Sequence, residues 1–65
     1  MDLSHYFDHY VYVVCKDGRV FRGWVTCFFT GEENGDGRDS IIIDPDNFDA
    51  VELYEEDIEV IRILR

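Results

Sequence analysis

An acidic, glycine-rich loop in the middle of the chain carries the motif that comes closest to a metal site. Glu32, Asn34 and Asp36 occupy alternate positions and Gly37 follows, which matches the first half of a calcium-binding loop. Such a loop needs a bidentate carboxylate at its twelfth position, and here Ile43 stands there. Because an isoleucine side chain offers the ion no oxygen, the motif does not predict a calcium site.

Two further groups of metal-ligating side chains also lack the spacing of a metal site. Asp44, Asp46 and Asp49 surround a proline turn, where aspartate is common because its carboxylate bonds to the nearby backbone. His5 and His9 are four residues apart and would share one face of a helix, but no cysteine or glutamate joins them at the spacing of a zinc site. We therefore predict no metal and no other cofactor.

The two cysteines, Cys15 and Cys27, both fall inside predicted strands. Their apolar neighbours would bury the thiols, which then act as small hydrophobic side chains and not as reactive nucleophiles. They lie too far apart along one hairpin to form a disulfide. The sequence has neither a serine nucleophile motif nor a phosphate-binding loop, so we predict that the protein is not an enzyme.

The length and composition fit one small domain, residues 1–65. Hydrophobic residues make up 46% of the chain, which is enough for a compact core but leaves no room for a deep cleft beside it. The sequence shows neither a signal peptide nor an apolar run long enough to span a membrane. We therefore expect a cytoplasmic protein without membrane contact.

The formal net charge of −9 is distributed unevenly along the chain. The first thirty residues hold three acids and three bases, whereas residues 31–59 hold twelve acids and a single base, Arg38. Such a surface repels phosphate backbones and attracts basic ligands. The net charge also opposes the association of identical copies, so salt is expected to strengthen self-association by screening the repulsion.

A β-hairpin is the clearest structural prediction. Two alternating apolar runs, about Tyr10–Cys15 and Arg19–Phe29, flank a tight turn that contains Gly18. A two-residue turn would place Val13 opposite an arginine, whereas a three-residue loop with Gly18 at positive φ would place Val13 opposite Phe21. We choose the longer loop because it yields one continuous apolar face, which consists of Val11, Val13, Cys15, Phe21, Val25 and Cys27.

The rest of the chain predicts short elements around this hairpin. Gly23 interrupts the second strand and is expected to bend it. Residues 2–9 place apolar side chains at helical spacing, and residues 30–39 are expected to form an irregular loop. Further strands are expected at Ser40–Asp44, Ala50–Tyr54 and Ile58–Leu64, with a single 3₁₀ turn at residues 55–57. The pattern predicts an all-β fold, a small, strongly bent, five-stranded barrel with a short N-terminal helix.

The side of the hairpin that faces away from the core is unusually apolar. Tyr10, Tyr12, Val20 and Trp24 alternate with the predicted core residues, and an eight-residue helix would cover only part of this side. Exposed apolar surfaces with aromatic side chains are typical of interfaces. We predict a protein partner or self-association through this face or through a sheet edge. A basic ligand is a further candidate, because aromatic rings bind cations.

The order of these elements resembles the Sm-like (LSm) domain. The similarity covers most of the chain and is carried by Val11, Val13, Lys16, Asp17, Gly18, Arg19, Phe21, Gly23, Val25, Asp57, Ile58 and Ile61. It implies a strongly bent barrel and ring-like or edge-to-edge assembly. RNA-binding Sm-like domains usually carry Asp and Asn after the second strand and Arg-Gly near the last strands. Here Phe29 follows Phe28, and the tail reads Leu53–Asp57 with acids in place of Arg-Gly, so the resemblance does not extend to RNA binding.

We therefore expect a non-enzymatic interaction or assembly module that acts through protein contacts. The alternative is a divergent Sm-like RNA-binding protein, in which the exposed aromatic side chains would stack on bases and Lys16, Arg19 and Arg22 would contact phosphates. Because the net charge opposes nucleic-acid binding, we expect such binding to be weak or absent. A basic patch formed by these three side chains would favour the alternative.

Overall fold

Five strands form one antiparallel sheet in the computed structural model, which describes residues 1–65. They are β1 (Tyr10–Cys15), β2 (Val20–Phe29), β3 (Ser40–Pro45), β4 (Val51–Tyr54) and β5 (Ile58–Ile63). A 3₁₀ helix over Leu3–Tyr6 precedes them, a four-residue helix, α1 (Gly31–Asn34), follows β2, and a second 3₁₀ helix spans Glu55–Asp57. The all-β prediction is confirmed.

The predicted hairpin register is also confirmed. Val13 pairs with Phe21 and Val11 pairs with Gly23. Gly18 has a φ of 95°, and its N–H donates to the carbonyl of Cys15 at 3.0 Å. A glycine is needed there because side chains with a Cβ are disfavoured at positive φ. Local turn geometry therefore sets which side chains of β1 and β2 face the core.

The sheet is not the closed barrel that we expected. β2 carries a register shift between Val25 and Cys27, and a bulge of this kind bends its strand. The strand order is β4-β3-β2-β1-β5, so β4 and β5 are the two edges and do not pair with each other. With only four residues in β4 and a single helical turn before β5, the chain crosses to the far edge without forming a closing ladder.

A β-bulge in β2 corrects one core assignment. Val25 pairs with Ile43, and the next pair joins Cys27 to Ile42, which leaves one extra residue in β2. An extra residue reverses the alternation of the side chains that follow it. As a result Phe28 packs against the core cluster, whereas Cys27, which we expected in the core face, is only half-buried and lies outside that cluster.

The N-terminal 3₁₀ helix packs on the core side of the sheet. Asp2 caps it by accepting the N–H of Ser4 at 3.1 Å. Leu3 is completely buried in the core cluster, and Tyr6 packs against that cluster. The helix is shorter than the predicted segment 2–9, and it leaves the opposite side of the hairpin uncovered. The buried core consists of Leu3, Val11, Val13, Cys15, Phe21, Val25, Ile41, Ile43, Leu53 and Ile58.

Helix α1 lies in the loop that we expected to be irregular. The Thr30 hydroxyl accepts the N–H of Glu33 at 3.1 Å, and the Glu33 carboxylate accepts the N–H of Thr30 at 3.0 Å. This reciprocal pair is a capping box, and its sequence signature, Thr-x-x-Glu, was present in the chain. Gly35, with a φ of 78°, ends the helix in the left-handed conformation.

Candidate interaction surface

The side of the sheet opposite the core carries three cross-strand rows of side chains on β1, β2 and β5. Residues directly opposite each other on antiparallel strands share a face of the sheet. The rows are Tyr10–Trp24, Arg62–Tyr12–Arg22 and Val60–Val14–Val20, and we call these eight residues the outer face. The four predicted contact residues, Tyr10, Tyr12, Val20 and Trp24, are thus brought together on one surface.

The outer face is largely open to solvent at its aromatic and aliphatic centre. Trp24 is 44% exposed and Val20 is 51% exposed, while Tyr10 and Tyr12 are half-buried. The rings of Tyr10 and Trp24 pack against each other with centroids 5.6 Å apart. Large side chains of this kind lose apolar surface to water when a partner covers them, which favours binding.

Arginine side chains surround the tyrosine rings of the outer face. The guanidinium of Arg22 lies 5.4 Å from the centroid of the Tyr12 ring, and that of Arg65 lies 4.8 Å from the centroid of the Tyr10 ring. Arg62 stands across from Tyr12 on β5. The chain's own cations therefore lie against two of the three aromatic rings of the outer face, those of Tyr10 and Tyr12.

The sequence analysis missed Arg62 and Arg65 as neighbours of the aromatic side chains. Both residues lie more than thirty-five positions from Trp24 in the chain, and only the pairing of β5 with β1 brings them close. Local periodicity contains no signal for that pairing. The apolar side chains of β1 and β5 determine the pairing of these two strands, because each strand must bury one of its sides in the same core.

Arg19 and Arg22, two of the three residues whose patch would favour the nucleic-acid alternative, lie on opposite sides of the hairpin. Arg19 lies in the hairpin turn, where its side chain donates to Asp17 at 2.8 Å and stacks over Phe21 on the core side. Lys16 precedes the same turn, whereas Arg22 points to the outer face. The alternation of β2 separates Arg19 from Arg22, since residues three apart face opposite sides.

Two aspartates border the outer face. The hydroxyl of Tyr10 donates to the Asp46 carboxylate at 2.5 Å, and this hydrogen bond raises the pKa of Tyr10 above its ordinary value. Asp44 stands opposite Trp24 on β3. Arg22, Arg62 and Arg65 together with Asp44 and Asp46 sum to one net positive charge, in contrast to the −9 of the whole chain.

An apolar groove continues from the outer face toward the β3–β4 turn. It has a volume of about 380 Å³ and is lined by Arg19, Val20, Phe21, Phe48 and Val51. Phe48 is 69% exposed, and its ring meets that of Phe21 edge-on with centroids 6.1 Å apart. Val20 belongs to both surfaces, so the groove extends the apolar area that a partner could cover.

The acids collect on a separate part of the molecule, built from the α1 segment and the second 3₁₀ helix. The Arg38 guanidinium donates to Glu56 and, at 2.8 Å, to Asp36, and it stacks 4.1 Å from the centroid of the Tyr54 ring. The N–H of Glu55 donates to the carbonyl of Asp39 at 3.1 Å. These contacts join the two segments into one surface, which we call the acidic surface, with Glu32, Glu33, Asp36, Asp39, Glu55, Glu56 and Asp57 as its acids.

The residues considered for metal binding or catalysis do not converge. No three histidine, cysteine or acidic side chains are arranged to hold a metal ion. His9 lies 3.0 Å from the carbonyl of Arg65 through its Nδ1, and His5 packs edge-on against Tyr6. Cys15 and Cys27 are both free thiols, and burial raises the pKa of the Cys15 thiol.

None of the helices has the length and apolar character needed to cross a bilayer. Comparison of the chain with protein-family models, with curated proteins and with solved structures found no significant match.

Proposed function

We propose that this protein is a non-enzymatic interaction module that binds a protein partner on its outer face. The observation that carries the proposal is the set of three cross-strand rows, in which exposed Trp24 and Val20 stand beside half-buried tyrosines with no element of the chain packed over them. Aromatic side chains and arginine are the residue types enriched at interfaces, and both occur together here.

The shape of this surface favours a protein over a small-molecule ligand. The outer face is one side of a curled sheet, whereas small-molecule sites are concave and enclose most of their ligand. The two edge strands, β4 and β5, also offer unpaired backbone groups to an incoming strand. A partner that covers the outer face could therefore also form hydrogen bonds with the unpaired backbone groups of β5 at the edge of that face.

The Sm-like resemblance remains part of the proposal. Its support is the order of the elements, a short N-terminal helix followed by five antiparallel strands with a glycine in the second. The residues after β2 and near β5 still lack the family's RNA-binding features, because Phe29 follows Phe28 and acids precede Ile58. We accordingly propose a divergent Sm-like module that works through protein contacts.

Photo-crosslinking from two matched positions in the native host tests the proposal. Val20, on the outer face, and Phe7, beside the N-terminal helix, are each 51% exposed, so a photoreactive amino acid at either position meets solvent equally. We expect protein adducts from position 20 and few from position 7. Equal yields from both positions, or no adducts from position 20, would show that the outer face is not a contact surface.

Single-stranded nucleic acid is the second candidate, because arginines beside exposed aromatic rings can hold phosphates while the rings stack on bases. The seven acids of the acidic surface oppose it, since they repel phosphates. Fluorescence anisotropy with uridine-rich and adenine-rich RNA at about 0.15 M salt decides between the two. Micromolar affinity that Arg62→Gln weakens would support nucleic-acid binding, and its absence supports the protein partner.

A further inference from the structure

We propose that the partner of the outer face is the acidic surface of a second copy of this chain, which gives a head-to-tail assembly. This inference rests on the proposed function and adds the identity of the occupant. Its basis is the separation of charge within one molecule. Arg22, Arg62 and Arg65 gather at the outer face, whereas the acids gather around α1 and the second 3₁₀ helix.

The acidic surface has the charge needed to complement the outer face. It holds seven acids and one base, Arg38, which leaves a net charge of −6. Arg38 pairs with Asp36 and Glu56, which leaves Glu32, Glu33, Asp39, Glu55 and Asp57 without an arginine partner in their own chain. The surface is also held in place by the capping box of α1 and by the hydrogen bond from Glu55 to Asp39. A preformed surface loses little conformational entropy on binding.

The two surfaces lie toward opposite ends of the strands, so both can be occupied in the same molecule. The acidic surface adjoins the start of β3 and the end of β4, and its second 3₁₀ helix leads into the start of β5, whereas Arg62 and Arg65 lie at the end of β5. The side-chain amide of Asn34, in α1, donates to the hydroxyl of Ser40 at 3.0 Å, and this hydrogen bond attaches α1 to the start of β3. Contact between unlike surfaces of identical copies is heterologous, and it continues as a ring or a chain of copies.

Charge also argues against the simpler symmetric dimer. A two-fold pairing of outer faces would bring Arg22, Arg62 and Arg65 of both copies into one contact, which gathers six cations there. Like charges across an interface are unfavourable, and the surface offers only Asp44 and Asp46 to offset them. In the head-to-tail arrangement the arginines meet acids, while Trp24 and Val20 are covered in the centre of the contact.

Two charge-reversal variants test this arrangement by sedimentation velocity. The face variant carries Arg22→Glu and Arg62→Glu. The acidic-surface variant carries Glu32→Lys and Glu55→Lys, at two exposed glutamates whose side chains make no hydrogen bond within the fold. The wild type should associate at about 0.15 M salt and weaken by about tenfold or more toward 1 M, because salt screens the arginine–acid contacts. This is the reverse of the salt dependence expected from the net charge alone, since local contacts between opposite charges now hold the copies together. Each variant alone should remain monomeric.

An equimolar mixture of the two variants gives the decisive result. The face variant keeps an intact acidic surface and the acidic-surface variant keeps an intact outer face, so together they can form one contact and no more. We expect a heterodimer that does not grow longer. The acidic-surface variant raises the net charge from −9 to −5, since each change from Glu to Lys adds two, so general repulsion between copies is weaker and cannot explain its failure to associate. Lys16→Glu and Arg62→Glu each change the net charge from −9 to −11, and only the second removes an arginine of the outer face, so Lys16→Glu should associate like the wild type and Arg62→Glu more weakly.

The outcomes separate this inference from the proposed function. A wild type that stays monomeric, a mixture that stays monomeric, or an acidic-surface variant that associates like the wild type would each overturn the head-to-tail arrangement. The proposed function would still stand if position 20 formed crosslinks to another protein in the host. If position 20 formed no crosslinks while the chain associated through another surface, both would fall.

Discussion

Gly23→Ala is expected to destabilise the fold severely, because the backbone of the paired strand β3 lies very close to the Cα of Gly23. A Cβ at Gly23 would lie 2.2 Å from the carbonyl oxygen of Asp44 and 2.7 Å from the Cα of Pro45. Both neighbours are backbone atoms of the paired strand, so no side-chain rotation relieves the clash. The strands must separate by about 1 Å to reach an ordinary contact distance.

The size of the effect follows from what that separation breaks. Overpacking in a well-packed interior costs about 1–3 kcal/mol, and each backbone hydrogen bond lost from the β2–β3 ladder costs about 1 kcal/mol more. We therefore expect a loss of about 3 kcal/mol or more in the free energy of unfolding. A domain of this length is expected to have a total of roughly 3–10 kcal/mol, so the variant should be partly unfolded at room temperature.

Gly18→Ala is the matched control, because nothing lies within 4 Å of the Cβ that would be added there. Its cost comes only from the φ of 95° and should be about 1 kcal/mol. Urea unfolding followed by circular dichroism and by Trp24 fluorescence gives both values from the midpoints and slopes. If the free energies of unfolding of the two variants differ by less than about 1 kcal/mol, β3 does not lie as close to Gly23 as the structure shows.

Three further predictions concern the core, the thiols and the acid limit. Leu3→Ala should cost about 2–5 kcal/mol in the same urea assay, since Leu3 is completely buried; a loss under 1 kcal/mol would mean that the N-terminal helix does not dock. A thiol reagent should modify Cys27 faster than buried Cys15 in the native protein and both rapidly in denaturant, and equal native rates would contradict the bulge. Hydrogen bonds from the backbone and then the side chain of Arg38 hold the pKa of Asp36 below its ordinary value of 3.8. A lowered pKa gives stability that is present above the unfolded value and lost as the pH falls through the folded one. Asp36→Asn should therefore unfold with a weaker dependence on pH below 3.8, and an unchanged acid limb would refute that assignment.

Short-range patterns of residues in the sequence determined much of the fold. The alternation of apolar residues around Gly18 was enough to predict the hairpin register, because turn geometry and side-chain period act over a few residues. The capping box of α1 was equally local, and its signature at Thr30 and Glu33 could have been read from the sequence.

Contacts between distant strands decided the rest. The bulge after Val25 moved Cys27 out of the core face, and an extra residue of this kind depends on how β3 fits against β2. Closure of the sheet likewise depends on whether β4 and β5 come close enough to pair, and in the structure they remain two separate edges. Neither outcome has a signal in the period of a single strand.

The sequence alone determined that Tyr10, Tyr12, Val20 and Trp24 share one side of a hairpin, because strand alternation requires it. It did not determine the charge of that side. The chain as a whole is strongly acidic, and its first thirty residues are neutral. Only the pairing of β5 with β1 places arginines from the C-terminal segment beside the aromatic rings, since a sheet brings together residues that are far apart in the chain.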